Sequence, residues 1–161
     1  GGATLAAAAA GAQVTHVDAS KGMVTWAKEN AVSSGLGDAP IRWLVDDCVK
    51  FVEREIRRGN TYDAIIMDPP SYGRGPKGEI WKIEDMIHPL IKLCTKILSK
   101  DALFFLVNSY TTGLAPAVLT YMISTELKPW NGHVDSQEIG LPVTDSGLVL
   151  PCGASGRWER D

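Results

Sequence analysis

Residues 62–72 read Tyr-Asp-Ala-Ile-Ile-Met-Asp-Pro-Pro-Ser-Tyr, and this stretch decides the fold. Ala64 to Met67 form an unbroken apolar run, the pattern of a strand buried on both faces of a parallel sheet. An acid, Asp68, closes the run. Pro69 and Pro70 follow; neither has a backbone N–H to give to a ladder, and each holds the residue before it in an extended conformation. The strand therefore stops at Asp68 and leaves in a fixed turn.

The same strand-then-acid pattern recurs on either side. Upstream, Gln13 to Asp18 reads as a short strand ending in an acid, and Ser20 is a good N-cap for a helix carrying Met23, Trp26, Ala27 and Asn30 at helical spacing. Gly35 and Gly37 end that helix. Ile41 to Val45 is a second strand, closed by Asp46 and Asp47. Val49 to Arg58 is a helix with Phe51, Val52 and Ile56 inward and Arg54, Arg57 and Arg58 outward, stopped by Gly59-Asn60. Downstream, Pro69 to Gly78 reads as a loop, and Glu84 to Ser99 as a helix through Met86, Ile87, Leu90, Ile91, Cys94 and Leu98. Ala102 to Val107 is another buried strand, and Pro116 opens a helix to about Glu126. Ile139 to Val143 and Gly147 to Leu150, joined by Thr144-Asp145-Ser146, read as an antiparallel hairpin. Alternating strands and helices imply an α/β fold, with a mainly parallel sheet covered on both faces and a hairpin at one edge. No linker, repeat or low-complexity tract divides residues 1–161, so the expectation is one domain.

Composition narrows the function classes. The 161 residues are 45% hydrophobic and 22% charged with a net charge of −3, average for a globular domain and unlike a polycation that binds nucleic acid through many phosphate contacts. A basic local patch remains compatible with that total. No apolar run approaches the roughly 20 residues that cross a bilayer, and the run Ala6 to Ala10 lacks the flanks of a signal peptide. Cys48, Cys94 and Cys152 are widely spaced and form no metal or redox pair, which fits a reducing compartment, with the cytoplasm as the default. His16, His88 and His133 show no ligand spacing and read as structural or surface residues, so no metal is expected.

In open parallel sheets ligands bind beyond the carboxyl ends of the strands. Asp18, Asp46/Asp47 and Asp68 all stand at such ends. Asp18 follows Gly1-Gly2 by about 17 residues, close to the spacing between a nucleotide-binding glycine turn and a ribose-binding acid. Its other reading is a helix cap, a task Ser20 can perform, and the ribose role is preferred. Asp47 can accept from an adenine amino group while the amide of Cys48 meets a ring nitrogen; equally, it can sit as a favourable charge at a helix N-terminus. Pro69 and Pro70 donate no backbone hydrogen bond, which leaves the carbonyls and the Asp68 carboxylate as acceptors facing the cleft. A nitrogen donating to them would be held with its lone pair towards an electrophilic methyl group, and Tyr72 offers a flat face for stacking a planar base. Arg74 and Lys77 lie in a loop that reads either as a phosphate-contacting lid or as an ordinary solvated segment. Asn108, in Asn108-Ser109-Tyr110-Thr111, can wall a substrate pocket or satisfy loop backbone. Trp26, Trp43 and Trp81 read as packing residues.

The segments GGATLAAAAAGA (1–12), THVDASKGMVTWAKENAVSSGL (15–36), DDCVKF (46–51), YDAIIMDPPSYGRG (62–75) and LVLPCGASGRW (148–158) resemble the class I S-adenosylmethionine-dependent methyltransferases related to the bacterial large-subunit rRNA methyltransferases. The likeness covers nearly the whole chain, and DPPSYGRG with the Asp18 segment is its specific part. It implies a Rossmann-like sheet with an antiparallel last strand and S-adenosylmethionine as cofactor. Gly1 and Gly2 match the end of the cofactor turn, Asp18 the ribose acid, Asp47 with Cys48 the adenine side, and Asp68, Pro69, Pro70 and Tyr72 the catalytic loop. RNA, of the rRNA type, is the implied substrate.

Two departures matter. The family's first, central strand and most of its glycine turn precede Gly1, so the expectation is that this stretch folds poorly alone and belongs with an upstream region of the same protein. Relatives that methylate carbon 5 of cytosine use a cysteine near the strand end that here reads NSYTTG, because that carbon needs activation by a thiolate. No cysteine stands there or in DPPSY, so transfer to nitrogen is favoured. Competing readings are a protein or small-molecule acceptor, cytosine-5 methylation, and a cofactor-binding scaffold without turnover. A nicotinamide dehydrogenase would have no use for DPPSY.

Overall fold

A computed structural model describes residues 1–75, 78–111 and 113–161. The chain divides into two compact units, residues 1–58 and 59–161.

The first unit contains α1 (Gly2–Ala9), β1 (Val14–Asp18), α2 (Lys21–Ser33), β2 (Ile41–Val45) and α3 (Cys48–Arg58). β1 and β2 are parallel, in register from Val14 opposite Ile41 to Asp18 opposite Val45. α2 begins where the Ser20 hydroxyl accepts from the Met23 amide at 3.3 Å, as an N-cap should. It buries Val24, Ala27 and Ala31, whereas Met23 and Trp26 are exposed. The inward stripe is thus turned by about one residue from the predicted one, and small alanines rather than Trp26 face the unit's interior. On α3 the buried face is Phe51, Val52 and Glu55. Glu55 is fully buried because two cations accompany it: Arg58 at 3.0 Å and Arg42 of β2 at 3.9 Å. His16 is structural, as expected. Its Nδ1 lies 2.8 Å from the Thr4 hydroxyl and its ring 5.0 Å from that of Trp43, and burial lowers its pKa.

The second unit contains β3 (Ala64–Met67), β4 (Tyr72–Arg74), β5 (Ile80–Lys82), α4 (Ile83–Thr95), β6 (Phe104–Ser109), α5 (Pro116–Glu126), β7 (His133–Pro142) and β8 (Val149–Glu159). Four strands form a sheet of order β3-β6-β8-β7, with β3 and β6 parallel and β8 antiparallel to both its neighbours. Phe105, Val107 and Ser109 of β6 alternate into the core, beside Ala154, Gly156 and Trp158 of β8. α5 packs on this face, and a side chain on Gly156 would strike Ile123 Cδ1 at 2.8 Å and Leu119 Cβ at 2.9 Å. α4 stands beside α5, tied by His88 to Glu126 at 2.8 Å.

Three expectations change here. The apolar run of β3 is only half-buried, with Ile66 37% exposed, because within its sheet β3 is an edge strand paired to β6 alone. The stretch after Pro70, expected to be loop, contributes β4, which pairs antiparallel with β5 from Tyr72 opposite Lys82 to Arg74 opposite Ile80. The C-terminal hairpin is far longer than predicted, reaching back to His133 and on to Glu159.

Candidate active site

Each unit gathers its own share of the sequence-predicted residues at strand carboxyl ends. In the first, Asp18, Asp47 and Cys48 meet beyond β1 and β2. The Asp46 amide donates to the Asp18 carbonyl at 3.0 Å, and the Cys48 thiol faces the Val17 carbonyl at 3.8 Å. Burial, reinforced by the negative charges of Asp18 and Asp47, pushes the Cys48 thiol up, so it stays protonated and is a poor nucleophile. Asp18 Oδ1 accepts from the Ser20 amide at 2.7 Å, leaving Oδ2 without a partner among the described residues. Asp47 Oδ1 accepts from the Lys50 amide at 2.9 Å and so caps α3. Both readings of each acid are therefore compatible with the geometry: one oxygen organises the local turn and the other has no hydrogen-bond partner among the described residues. Gly1 lies tight on α2, where a Cβ would come within 2.7 Å of Ala27 Cβ, while Gly2 has open space.

In the second unit, Asp68 follows β3 directly. Its side chain is exposed, yet partial desolvation raises its carboxyl above the ordinary aspartate range. The Pro69 carbonyl accepts from no described residue. The Pro70 carbonyl, by contrast, takes the indole N–H of Trp81 at 2.6 Å. Ser71 is held twice, its carbonyl by the Ile83 amide at 3.1 Å and its hydroxyl against that of Thr111 at 2.6 Å. That second contact joins the 68–72 turn to the segment leaving β6, on which Asn108 is half-buried opposite Ser155. Tyr72 is 51% exposed, and its hydroxyl accepts from Arg74 Nε at 3.0 Å. Arg74 is thereby fixed next to the flat face expected to stack a base. Lys77 lies outside the described residues.

Trp81 is the functional candidate that the sequence reading assigned to packing. Its signal was position: it sits on the strand opposite Gly73, so β4 and β5 carry its ring back to Pro70. The cysteines also find places. Cys94 is buried on α4, and Cys152 lies on β8 with its thiol directed at the Ile139 carbonyl, 3.4 Å away, beside the register shift in the β7–β8 ladder. Its neighbour Gly153 presses on the end of β6, where a Cβ would meet the Ser109 carbonyl oxygen at 2.1 Å. Among the described residues no group of three or more His, Cys, Asp or Glu is arranged to hold a metal ion, and no helix is long and apolar enough to cross a membrane.

A solved S-adenosylmethionine-dependent methyltransferase from Agrobacterium tumefaciens matches all of this chain at 42% identity with a TM-score of 0.92; the match covers 53% of that protein. The chain shares the Rossmann-like fold of the S-adenosylmethionine-dependent methyltransferases. Its methyltransferase kinship extends to curated relatives. The ribosomal RNA large subunit methyltransferase K/L of Shewanella frigidimarina is 32% identical over 99 residues, 58% of this chain and 14% of that protein. The ribosomal RNA large subunit methyltransferase K of Neisseria meningitidis is 29% identical over 111 residues, 68% of this chain and 31% of that one. The chain thus spans about half of the solved relative and a third or less of the two curated ones. No protein-family model matches it.

Proposed function

We propose that this chain is the S-adenosylmethionine-binding catalytic part of an enzyme that methylates a nitrogen of an RNA base, with large-subunit rRNA as the substrate class. The observation that carries the proposal is the turn after β3: a carboxylate of raised pKa followed by two residues without N–H donors, held from both sides. S-Adenosylmethionine, when bound, supplies the electrophilic methyl group. The turn after β3 supplies alignment and proton acceptors. Asp68 and the Pro69 carbonyl accept from the substrate nitrogen and turn its lone pair outward, while Tyr72 stacks the base and Arg74 meets phosphate. Asp18 receives the ribose hydroxyls on its open oxygen, and Asp47 with Cys48 borders the adenine, with Gly1 and Gly2 at the end of the cofactor turn. Asn108 forms a wall of the substrate pocket. The names of the relatives support the RNA substrate. The cysteines support nitrogen over cytosine carbon 5: Cys48 is held as a thiol, Cys94 is buried, and Cys152 points into the hairpin ladder. The proposal takes residues 1–161 as one cofactor-binding domain acting in the cytoplasm.

Incubating the full-length protein with radiolabelled S-adenosylmethionine and ribosomal RNA, protein or metabolite pools, then digesting the labelled RNA to nucleosides, tests it. Label in an N-methylated nucleoside is expected. Label in 5-methylcytidine that vanishes in Cys152→Ser would overturn the nitrogen assignment, and label in protein alone would overturn the RNA substrate.

Two further outcomes follow from the geometry. Removing a charge-assisted hydrogen bond costs about 2 kcal/mol, so Asp18→Ala should raise the dissociation constant for S-adenosylmethionine by roughly thirtyfold in calorimetry. A change below threefold would leave Asp18 as a turn residue only. Asp68 must be ionised to accept a proton, and burial raises its pKa, so kcat should fall as pH drops through a value above the 3.8 of an ordinary aspartate. A pH profile flat down to that value would count against this role.

A further inference from the structure

The proposed methyl-transfer turn has a mechanical weakness that the fold corrects with one side chain. Pro69 and Pro70 have no N–H groups, so at these two positions the backbone can be pinned only through its carbonyls. The Pro70 carbonyl is taken by Trp81 Nε1 at 2.6 Å, slightly shorter than the usual range of about 2.7–3.2 Å for such bonds. Trp81 reaches it because it is directly opposite Gly73 in the β4–β5 ladder, which folds the chain back over the turn. A tryptophan needed for packing alone would not have to aim its single polar atom at this carbonyl. The bond also selects the acceptors, since the Pro70 oxygen is consumed while the Pro69 oxygen, one residue nearer Asp68, has no partner among the described residues.

We propose that Trp81 is a positioning residue: its indole N–H fixes the Pro70 carbonyl and thereby sets the direction in which Asp68 and the Pro69 carbonyl meet the acceptor nitrogen. This inference rests on the methyl-transfer reading of the same turn. Misplacing reacting groups by about 1 Å can cost on the order of a hundredfold in rate, whereas the cofactor-side acids have no bond to Trp81. Loss of the N–H should therefore act on kcat and not on cofactor affinity.

The experiment replaces Trp81 in the full-length protein with 3-benzothienylalanine, which keeps the bicyclic shape and exchanges the N–H for sulfur, and separately makes Trp81→Phe. Both should lower kcat by roughly 10- to 100-fold, with the dissociation constant for S-adenosylmethionine and the melting temperature of the benzothienyl protein within error of the parent. In the parent, the Trp81 indole proton should be protected from exchange in an ¹⁵N-labelled sample. A benzothienyl protein with the parent's kcat overturns the inference, as does an unprotected indole proton. If the benzothienyl protein loses cofactor affinity and kcat together, Trp81 is a packing residue and the inference also fails. A parent that neither binds S-adenosylmethionine nor transfers methyl overturns the proposed function itself, and the role of Trp81 falls with it even where the indole proton is protected.

Discussion

Asp68→Ala should lower methyl transfer by on the order of 10³ while leaving S-adenosylmethionine binding within about threefold of the parent. Positioned acid–base groups and preorganised acceptors each contribute roughly 10²–10³ in rate, and Asp68 is placed to act in both ways. Its carboxyl stands at the carboxyl end of β3, next to two prolines with no N–H to offer, and its pKa is raised by desolvation. The fold should tolerate the loss. The side chain is exposed and has no ion-pair or hydrogen-bond partner among the described residues, so removal should change stability by no more than about 0.5 kcal/mol. Asp68→Asn keeps an acceptor oxygen but cannot take a proton, and should fall between the parent and Ala. Steady-state kinetics with labelled cofactor, read beside calorimetry and thermal melting, separates the cases. If Asp68→Ala lost cofactor binding and rate in equal measure, the carboxylate would be structural and the site would lie elsewhere.

The candidate site was legible in the sequence to the extent that local chemistry shapes the turns that carry it. Pro69 and Pro70 end a strand wherever they occur, and β2 and α5 begin and end as their apolar spacing and Pro116 indicate. The predictions failed where structure depends on distant partners. β8 carries Pro151, Gly153, Ala154, Ser155 and Gly156, residues of low strand propensity. They form a strand because β6 and β7 pair with it on either side, and they are small because anything larger would collide: Gly153 abuts the Ser109 carbonyl and Gly156 lies beneath Leu119 and Ile123. β7 alternates polar residues from His133 onward, the pattern of an edge strand, and has no apolar run to announce it. Trp81 became legible only when the β4–β5 register brought it over Pro70. Asp18 and Asp47 show the converse: local sequence identified both as candidates, and local geometry gives each one oxygen for its turn and one to spare.

Trp158 was overlooked for the same reason, and its removal should be the most costly change in the second unit. It follows the small residues of β8, is 2% exposed, and stands between Phe105 of β6 and Val134 of β7 in the sheet. Truncating a buried tryptophan to alanine costs about 3–5 kcal/mol, against a total stability of about 5–15 kcal/mol for a domain. Trp158→Ala should therefore lower the melting temperature by roughly 6–20 °C. Unlike Asp68→Ala, it should reduce activity only in proportion to the fraction unfolded. The seat of the indole is made by Gly132, where a Cβ would come within 2.6 Å of Trp158 Nε1 and 2.3 Å of the Glu159 carbonyl oxygen. Gly132→Ala overfills the space that Trp158→Ala empties, at about 1–3 kcal/mol. Because both act on one seat, the double variant Gly132→Ala/Trp158→Ala should lose less than the sum of the two losses, by more than the roughly 0.5 kcal/mol scatter of independent sites. Additive losses in denaturant melts would mean that Gly132 is constrained by the Glu159 backbone alone and that the indole does not define this part of the core.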